Sequence, residues 1–312
     1  MRRKCITIMN NDNHNSDIIK SEAIKAIAED LSVYVNLLTD FGFKRIFGIK
    51  EVMLNFLNAV LDIDGGIKDL SYDNTERLGL TKEDRKAIFD LICITGKGER
   101  IIVEMQTIPQ EYFKDRILFY ASLLIQEQNV KGKDWNFKLQ PVYSINILNF
   151  CLDRNITTDK YFSYVQLIDR ETCKLFNDKL TIACIELPRF AKELNKVKSC
   201  LEQWIFVIKH LHEMDSLPEA LRNDFFENIF EVAKIAKMSK SEVYTYLKDL
   251  SDMNIVQNEI KRRDKIIDDH VHTIAVRDKI IDDHVHTIAQ KDNTISAMEK
   301  ENAELRRLLG LN

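Results

Sequence analysis

At 312 residues, with 45 % hydrophobic and 30 % charged side chains, the chain has ample material for a core and for more than one domain of ordinary globular type. A formal charge of -4 excludes a binder that relies on bulk positive charge, so any nucleic-acid contact must be local. No stretch is long and apolar enough to span a membrane, and six scattered cysteines (Cys5, Cys93, Cys151, Cys173, Cys184, Cys200) without zinc spacing point to a reducing cytoplasm.

The first residues carry positive charge, but the apolar run ITIM is too short for a signal-peptide core, and polar Asn-rich sequence follows it. Residues 1–30 therefore read as a mobile arm. LLTDFGFKRIFG and KEVMLNFLNAVLDI read as short helices packed on a sheet, the second with Val52, Phe56, Leu57, Val60 and Leu61 at helical spacing. IKDLSY is a plausible first strand, and AIFDLICI and RIIVEMQ are stronger ones, separated by the turn TGKGE. QEYFKDRILFYASLLIQEQ sets Phe113, Ile117, Tyr120 and Leu124 on one helical stripe. KLQPVYSINILNF, entered through Pro141, and KLTIACIELPRF, ended by Pro188, supply further strands. Helix, meander, helix and strand make an α/β (α+β) domain over residues 31–190. A helical segment over 191–255 follows, its last helix opening at SKSE with a serine cap signal.

The tail, residues 256–312, contains an internal repeat: RDKIIDDHVHTIA occurs at 263–275 and again, unchanged, at 277–289, a period of two heptads. Ile267, Ile274, Ile281, Ile288 and Ile295 recur every seven residues, while the partner row alternates Asp264, Val271, Asp278, Val285, Asp292. This predicts a weakly stabilised coiled coil that makes a homo-oligomer or takes a partner helix. His270, His272, His284 and His286 do not make a metal site, because residues two apart lie on nearly opposite sides of a helix.

A carboxylate at the buried end of the apolar run RIIVE costs several kcal/mol, on the order given by transfer data, unless a partner meets it. With a three-residue loop of Gly96, Lys97 and Gly98, Thr95 pairs with Glu99, and the ladder then sets Asp90 opposite Glu104, about 5 Å apart at Cβ. Two ionised carboxylates at that distance need a shared proton or a cation, and hard ions such as Mg²⁺ suit carboxylate and water oxygen. Gln106 returns to this face, and Phe89, Leu91, Cys93, Ile101, Val103 and Met105 are expected on the other. The bland alternative is a solvated acidic edge, or a register slipped by one.

FD, thirteen residues, then ExQ at Glu104 to Gln106 resembles the signature of the PD-(D/E)xK nuclease superfamily, and most nearly its recombination-promoting nuclease/transposase family, whose members carry Gln where most of the superfamily has Lys. LLTDFGFKRIFG, VEMQ, DRILFYASLLIQEQ, LQPVYSINIL and IELPRF also occur in the family's order, which covers residues 35–190 and, more loosely, the helices to 250. The resemblance implies a restriction-endonuclease-like core with a central mixed sheet flanked by helices. It implies Asp90 and Glu104 as ligands of Mg²⁺ (or Mn²⁺), with Asp40 of the first helix completing the site, and Gln106 in the catalytic lysine's place. Lys44 matches a family lysine able to approach the scissile phosphate. Each has a plainer alternative: Asp40 as a helix N-cap, Lys44 as a solvated lysine. Arg116 has the fork to clamp a phosphate bidentately, against a surface charge as the alternative. Phe89 stands where the motif has Pro, and a neutral amide at 106 cannot neutralise developing phosphate charge as an ammonium does.

The expected function is a cytoplasmic, metal-dependent DNA endonuclease linked to DNA recombination or mobile-element biology, with DNA as partner. The first rival is a catalytically inactive nuclease fold acting as an oligomeric DNA-binding or assembly module, which would keep DNA and lose divalent metal. The second is a glycosidase-like carboxylate pair, against which stands the lack of aromatic-rich cleft residues.

Overall fold

The computed structural model describes residues 32–77, 87–129, 136–153, 156 and 158–309, so the arm predicted at 1–30 lies outside the described residues. The chain forms two units, one through Met253 and one from Asn254 to Asn312.

In the first unit, helices α1 (Asp40–Phe47) and α2 (Lys50–Val60) lead into strand β1 (Leu70–Tyr72), a short ladder of β2 (Glu76–Arg77) with β3 (Ala87–Ile88), and the hairpin β4 (Leu91–Thr95) and β5 (Arg100–Gln106). Helix α3 (Phe113–Gln126) then precedes β6 (Val142–Leu148), β7 (Phe162–Ile168) and β8 (Leu175–Glu186). The main sheet has six strands in the order β1-β4-β5-β6-β8-β7. Pairing is antiparallel through β1, β4 and β5, parallel from β5 to β6 and from β6 to β8, and antiparallel again at the β7 edge, so the sheet is mixed. The central strand β6 is buried along its whole length, which its nearly continuous run VYSINIL allows.

Helices cover both faces. On one side α1, α2, α4 (Cys200–His210) and α5 (Asp224–Ala233) pack with Cys93, Ile101, Val103, Ile145, Ile147 and Ile185 of the sheet, around the fully buried Trp204. The helices after residue 190 thus share the sheet's own core. On the other side α3 lays Ala121 and Leu124 on Phe89, Ile92, Ile102 and Val142, and lays Phe113 and Ile117 against Leu148 and Cys184. The result is an α/β core with a mixed sheet and flanking helices.

Three local features position the site. First, α1 is capped by Thr39, whose hydroxyl accepts from Gly42 N–H at 3.0 Å, so the cap is Thr39 and not Asp40. A Cβ on Gly42 would sit 2.2 Å from the Asn36 carbonyl oxygen, so only glycine permits this turn. The start of α6 (Lys240–Leu308) holds α1 down: Tyr246 OH accepts from Asn36 N–H at 2.9 Å, Asp249 from Phe41 N–H at 2.9 Å, and Arg45 pairs with Glu242 at 2.5 Å. Ser239 accepts from Glu242 N–H, as the cap signal in SKSE leads one to expect.

Second, the hairpin closes as counted from sequence. Thr95 N–H meets Glu99 O at 2.9 Å, Gly98 takes φ +83°, and the ladder pairs Leu91 with Val103 and Cys93 with Ile101. One expectation is corrected. AIFDLICI is not one strand: it breaks at a bend on Asp90 between β3 and β4, and Phe89 packs under α3 with Ile92 and Ile102 rather than on the Leu91 face. Strand alternation does not carry through a bend.

Third, Arg189 in IELPRF bonds Glu186 at 2.9 Å and donates to the carbonyls of Asp153, Ile156 and Thr158, fastening the crossing after β6 to the end of β8. Edge strand β7 was not anticipated from sequence, although five of the eight residues from Tyr161 to Ile168 are β-branched or aromatic.

The second unit is helical from Asn254 to Leu308, with the row of isoleucines exposed.

Candidate active site

The site begins with Glu104. Strand β5 carries it into the interior, where it is 4 % exposed, because Ile101 and Val103 face one core and Ile102 the other. Asp90 stands opposite, held by the bend before β4. The two residues are laced crosswise: Asp90 N–H donates to Glu104 Oε1 at 3.1 Å, and Met105 N–H donates to Asp90 Oδ2 at 2.7 Å. The ladder runs from Ile94–Arg100 to Leu91–Val103 in the register counted from sequence, and Asp90 lies one residue beyond its end, where the two crosswise bonds hold it to β5.

Gln106 lies two residues on, and its Nε2 donates to Glu104 Oε2 at 3.2 Å. Its Oε1 accepts from Gln110 Nε2 at 3.3 Å, Gln110 Oε1 accepts from Arg116 Nη1 at 2.6 Å, and Arg116 Nη2 returns to within 3.5 Å of Glu104 Oε2. Four side chains therefore close a polar ring. The Arg116 guanidinium also lies over the Tyr120 ring at 4.8 Å, which directs the fork toward the acids. Gln110 was not singled out from sequence, and Tyr120 was read only as part of the helical stripe. The spacing of four from Gln106 to Gln110, and of four from Arg116 to Tyr120 along the helix, was the signal available.

Asp40 and Lys44 stand at the edge of this group. They pair with each other at 2.8 Å across one turn of α1, both about half exposed, and their charges are felt at Asp90. Asp90, Glu104, Gln106 and Arg116 are thus brought into contact, whereas Asp40 and Lys44 face the pair without touching it. Among the described residues no group of three or more His, Cys, Asp or Glu side chains gathers as a ligand set.

The electrostatics follow from burial. Loss of water raises the Glu104 carboxyl well above the usual carboxylate range, and the neighbouring Asp90 raises it further. The Asp90 amide, Arg116 and Gln106 pull the other way and do not win. Asp90 is also raised, chiefly by burial, with the Met105 amide opposing and Asp40 adding repulsion. An Arg at 3.5 Å from Glu104 is a loose counter-ion for a buried acid and its half-buried neighbour Asp90. Such a pair either holds a proton or accepts a compact cation, and a divalent ion that keeps water takes one or two protein carboxylates.

A family model described as PD-(D/E)XK nuclease family transposase matches residues 37–262, which is more than half of the chain. The chain belongs to this family. No curated protein and no solved structure matches it. Membership agrees with the family reading of the sequence motifs, and the matched residues include every side chain of the ring together with Asp40 and Lys44. The amide of Gln106 is engaged on both sides, by Glu104 and by Gln110.

Proposed function

We propose that the chain is a metal-dependent DNA endonuclease hydrolysing phosphodiester bonds, acting in DNA recombination or mobile-element biology. The observation that carries this reading is the buried, hydrogen-bonded Asp90–Glu104 pair, whose raised carboxyls make a site short of positive charge. Asp90 and Glu104 would hold Mg²⁺ or Mn²⁺, with Asp40 as an outer carboxylate. Bound there, the ion would supply Lewis-acid stabilisation of the phosphate and lower the pKa of attacking water.

The chain's own residues do the rest. Arg116, already aimed by Tyr120 and Gln110, offers two parallel donors to a phosphate oxygen pair once it leaves Glu104. Lys44 swings from Asp40 to supply the second cation that Gln106 cannot. Gln106, held by Gln110, orients a water or the substrate through its amide. The attacking group in this reading is water, so hydrolysis proceeds without a covalent enzyme–DNA intermediate. A cytoplasmic location is part of the proposal; among the described residues no helix is long and apolar enough to cross a membrane. Self-association through the C-terminal helix is also part of it, supported by the isoleucine row.

One observation favours the second reading, a fold that binds DNA without cutting: the ligand group stops at two acids among the described residues. The test is plasmid DNA incubated with purified protein in Mg²⁺, in Mn²⁺ and in chelator. Nicking that requires metal and is lost in Asp90→Asn and Glu104→Gln supports the endonuclease. DNA retention without nicking in any metal supports the inactive module and overturns the first reading.

A further inference from the structure

The second unit carries a pattern that cleavage does not use. Along the helix, Ile267, Ile274, Ile281, Ile288 and Ile295 form one row, and Asp264, Val271, Asp278, Val285 and Asp292 lie three residues before each of them. These are the d and a rows of a coiled-coil seam. The isoleucines and the two valines are 53–60 % exposed in the single chain, over a span far longer than a chance surface residue.

The flanking rows determine what can cover this seam. The residue before each a position is Arg263, His270, Arg277, His284 or Lys291, a basic row at g. The residue after each d position is Asp268, Ala275, Asp282, Ala289 or Ser296, an acidic or neutral row at e. Two antiparallel copies would set g against g and e against e, opposing cation to cation and Asp to Asp. Two parallel copies set each g against the e five residues on: Arg263 meets Asp268 and Arg277 meets Asp282 of the neighbouring copy. A slip of one heptad replaces these partners by Ala275 and Ala289, or in the other direction sets Arg263 against Lys261.

We infer that residues 263–296 join copies of this chain in a parallel, in-register coil, with orientation and register set by Arg263–Asp268 and Arg277–Asp282 contacts between copies. The inference rests on the self-association proposed above and adds its geometry. In register, Asp264, Asp278 and Asp292 face their own counterparts, each beside the cation that precedes it, Arg263, Arg277 or Lys291, which limits their repulsion. Arg263 also bonds Glu259 of its own chain at 2.9 Å, so Arg277 is the less encumbered contact.

The test uses full-length protein and two charge-reversed forms, Asp268→Arg with Asp282→Arg, and Arg263→Asp with Arg277→Asp, with mass followed by sedimentation across a dilution series. Each form alone is expected to dissociate about tenfold or more readily than wild type, since several attractive contacts become repulsive. An equimolar mixture should recover wild-type assembly, which also shows that neither form has merely lost its helix. Variants that each self-associate as tightly as wild type would overturn the parallel pairing and leave self-association standing. A wild type that is monomeric at every concentration would overturn self-association itself, and the pairing with it.

Discussion

Glu104 and Asp90 each spend one oxygen on the other strand's backbone, and this determines which substitutions are informative. Truncating Asp90 to Ala would leave Met105 N–H without its acceptor and mix a folding cost into any activity loss. Asp90→Asn and Glu104→Gln keep shape and acceptors while removing charge. Each is expected to lower metal-dependent nicking about a hundredfold or more, beyond the loss usual for an outer-shell group. In chelator neither should melt below wild type, and Mg²⁺ should raise the wild-type melting temperature far more than theirs, because a ligand stabilises only the state that binds it. The same acids predict a pH response. Burial raises both carboxyls in the folded state, so the metal-free fold holds protons that the unfolded chain releases. Their contribution to stability is complete below the ordinary carboxylate range and is lost as pH rises through the raised values. Urea titrations from about pH 5 to about pH 9 in chelator should therefore show Glu104→Gln gaining on wild type as pH rises, and added Mg²⁺ should cancel the difference. A flat difference would remove burial as the controlling term. Gln106→Lys places an ammonium beside Glu104, where it would draw the carboxyl down and add charge for the phosphate. Nicking should be retained or increased; total loss with an intact fold would show that the amide has a role of its own.

At the scale of elements, the hairpin and α3 act together. The β4–β5 loop sets the register that brings Asp90 to Glu104, and α3 brings Arg116 back over the pair while burying Ile117 and Ala121 beneath it. Gly98 is the loop residue that needs its left-handed φ. A Cβ there would meet only Gln140 side-chain carbons, at 3.6 Å and beyond, so Gly98→Ala tests backbone conformation with little steric conflict. It should lower stability by about 1 kcal/mol in urea unfolding and leave nicking per folded molecule unchanged. A greater loss in nicking than in folded fraction would mean that the register itself had shifted.

For the whole molecule, the site draws on segments that lie far apart in the chain: α1, the bend before β4, β5 and α3. All belong to the first unit, so deleting residues 254–312 should leave a folded protein with unchanged thermal unfolding and a lower mass in solution. Equal masses for the full and shortened chains would show that the isoleucine row does not drive assembly. Unfolding of the shortened chain would show instead that the first unit leans on the tail.

The sequence alone determined the hairpin register, because a three-residue glycine loop is a local rule that counts reliably across one turn, while the bend that holds Asp90 against Glu104 lies beyond that ladder. It likewise determined the heptad rows, since periodicity along a helix needs no tertiary contact. Only the tertiary structure decided the rest. That Gln110 links Gln106 to Arg116 and that Phe89 turns under α3 depend on how separate elements meet, and no local period encodes such meetings. Edge strand β7 escaped for a similar reason: it is half exposed and joins the sheet through β8, so its identity as a strand lies in a pairing rather than in its own pattern.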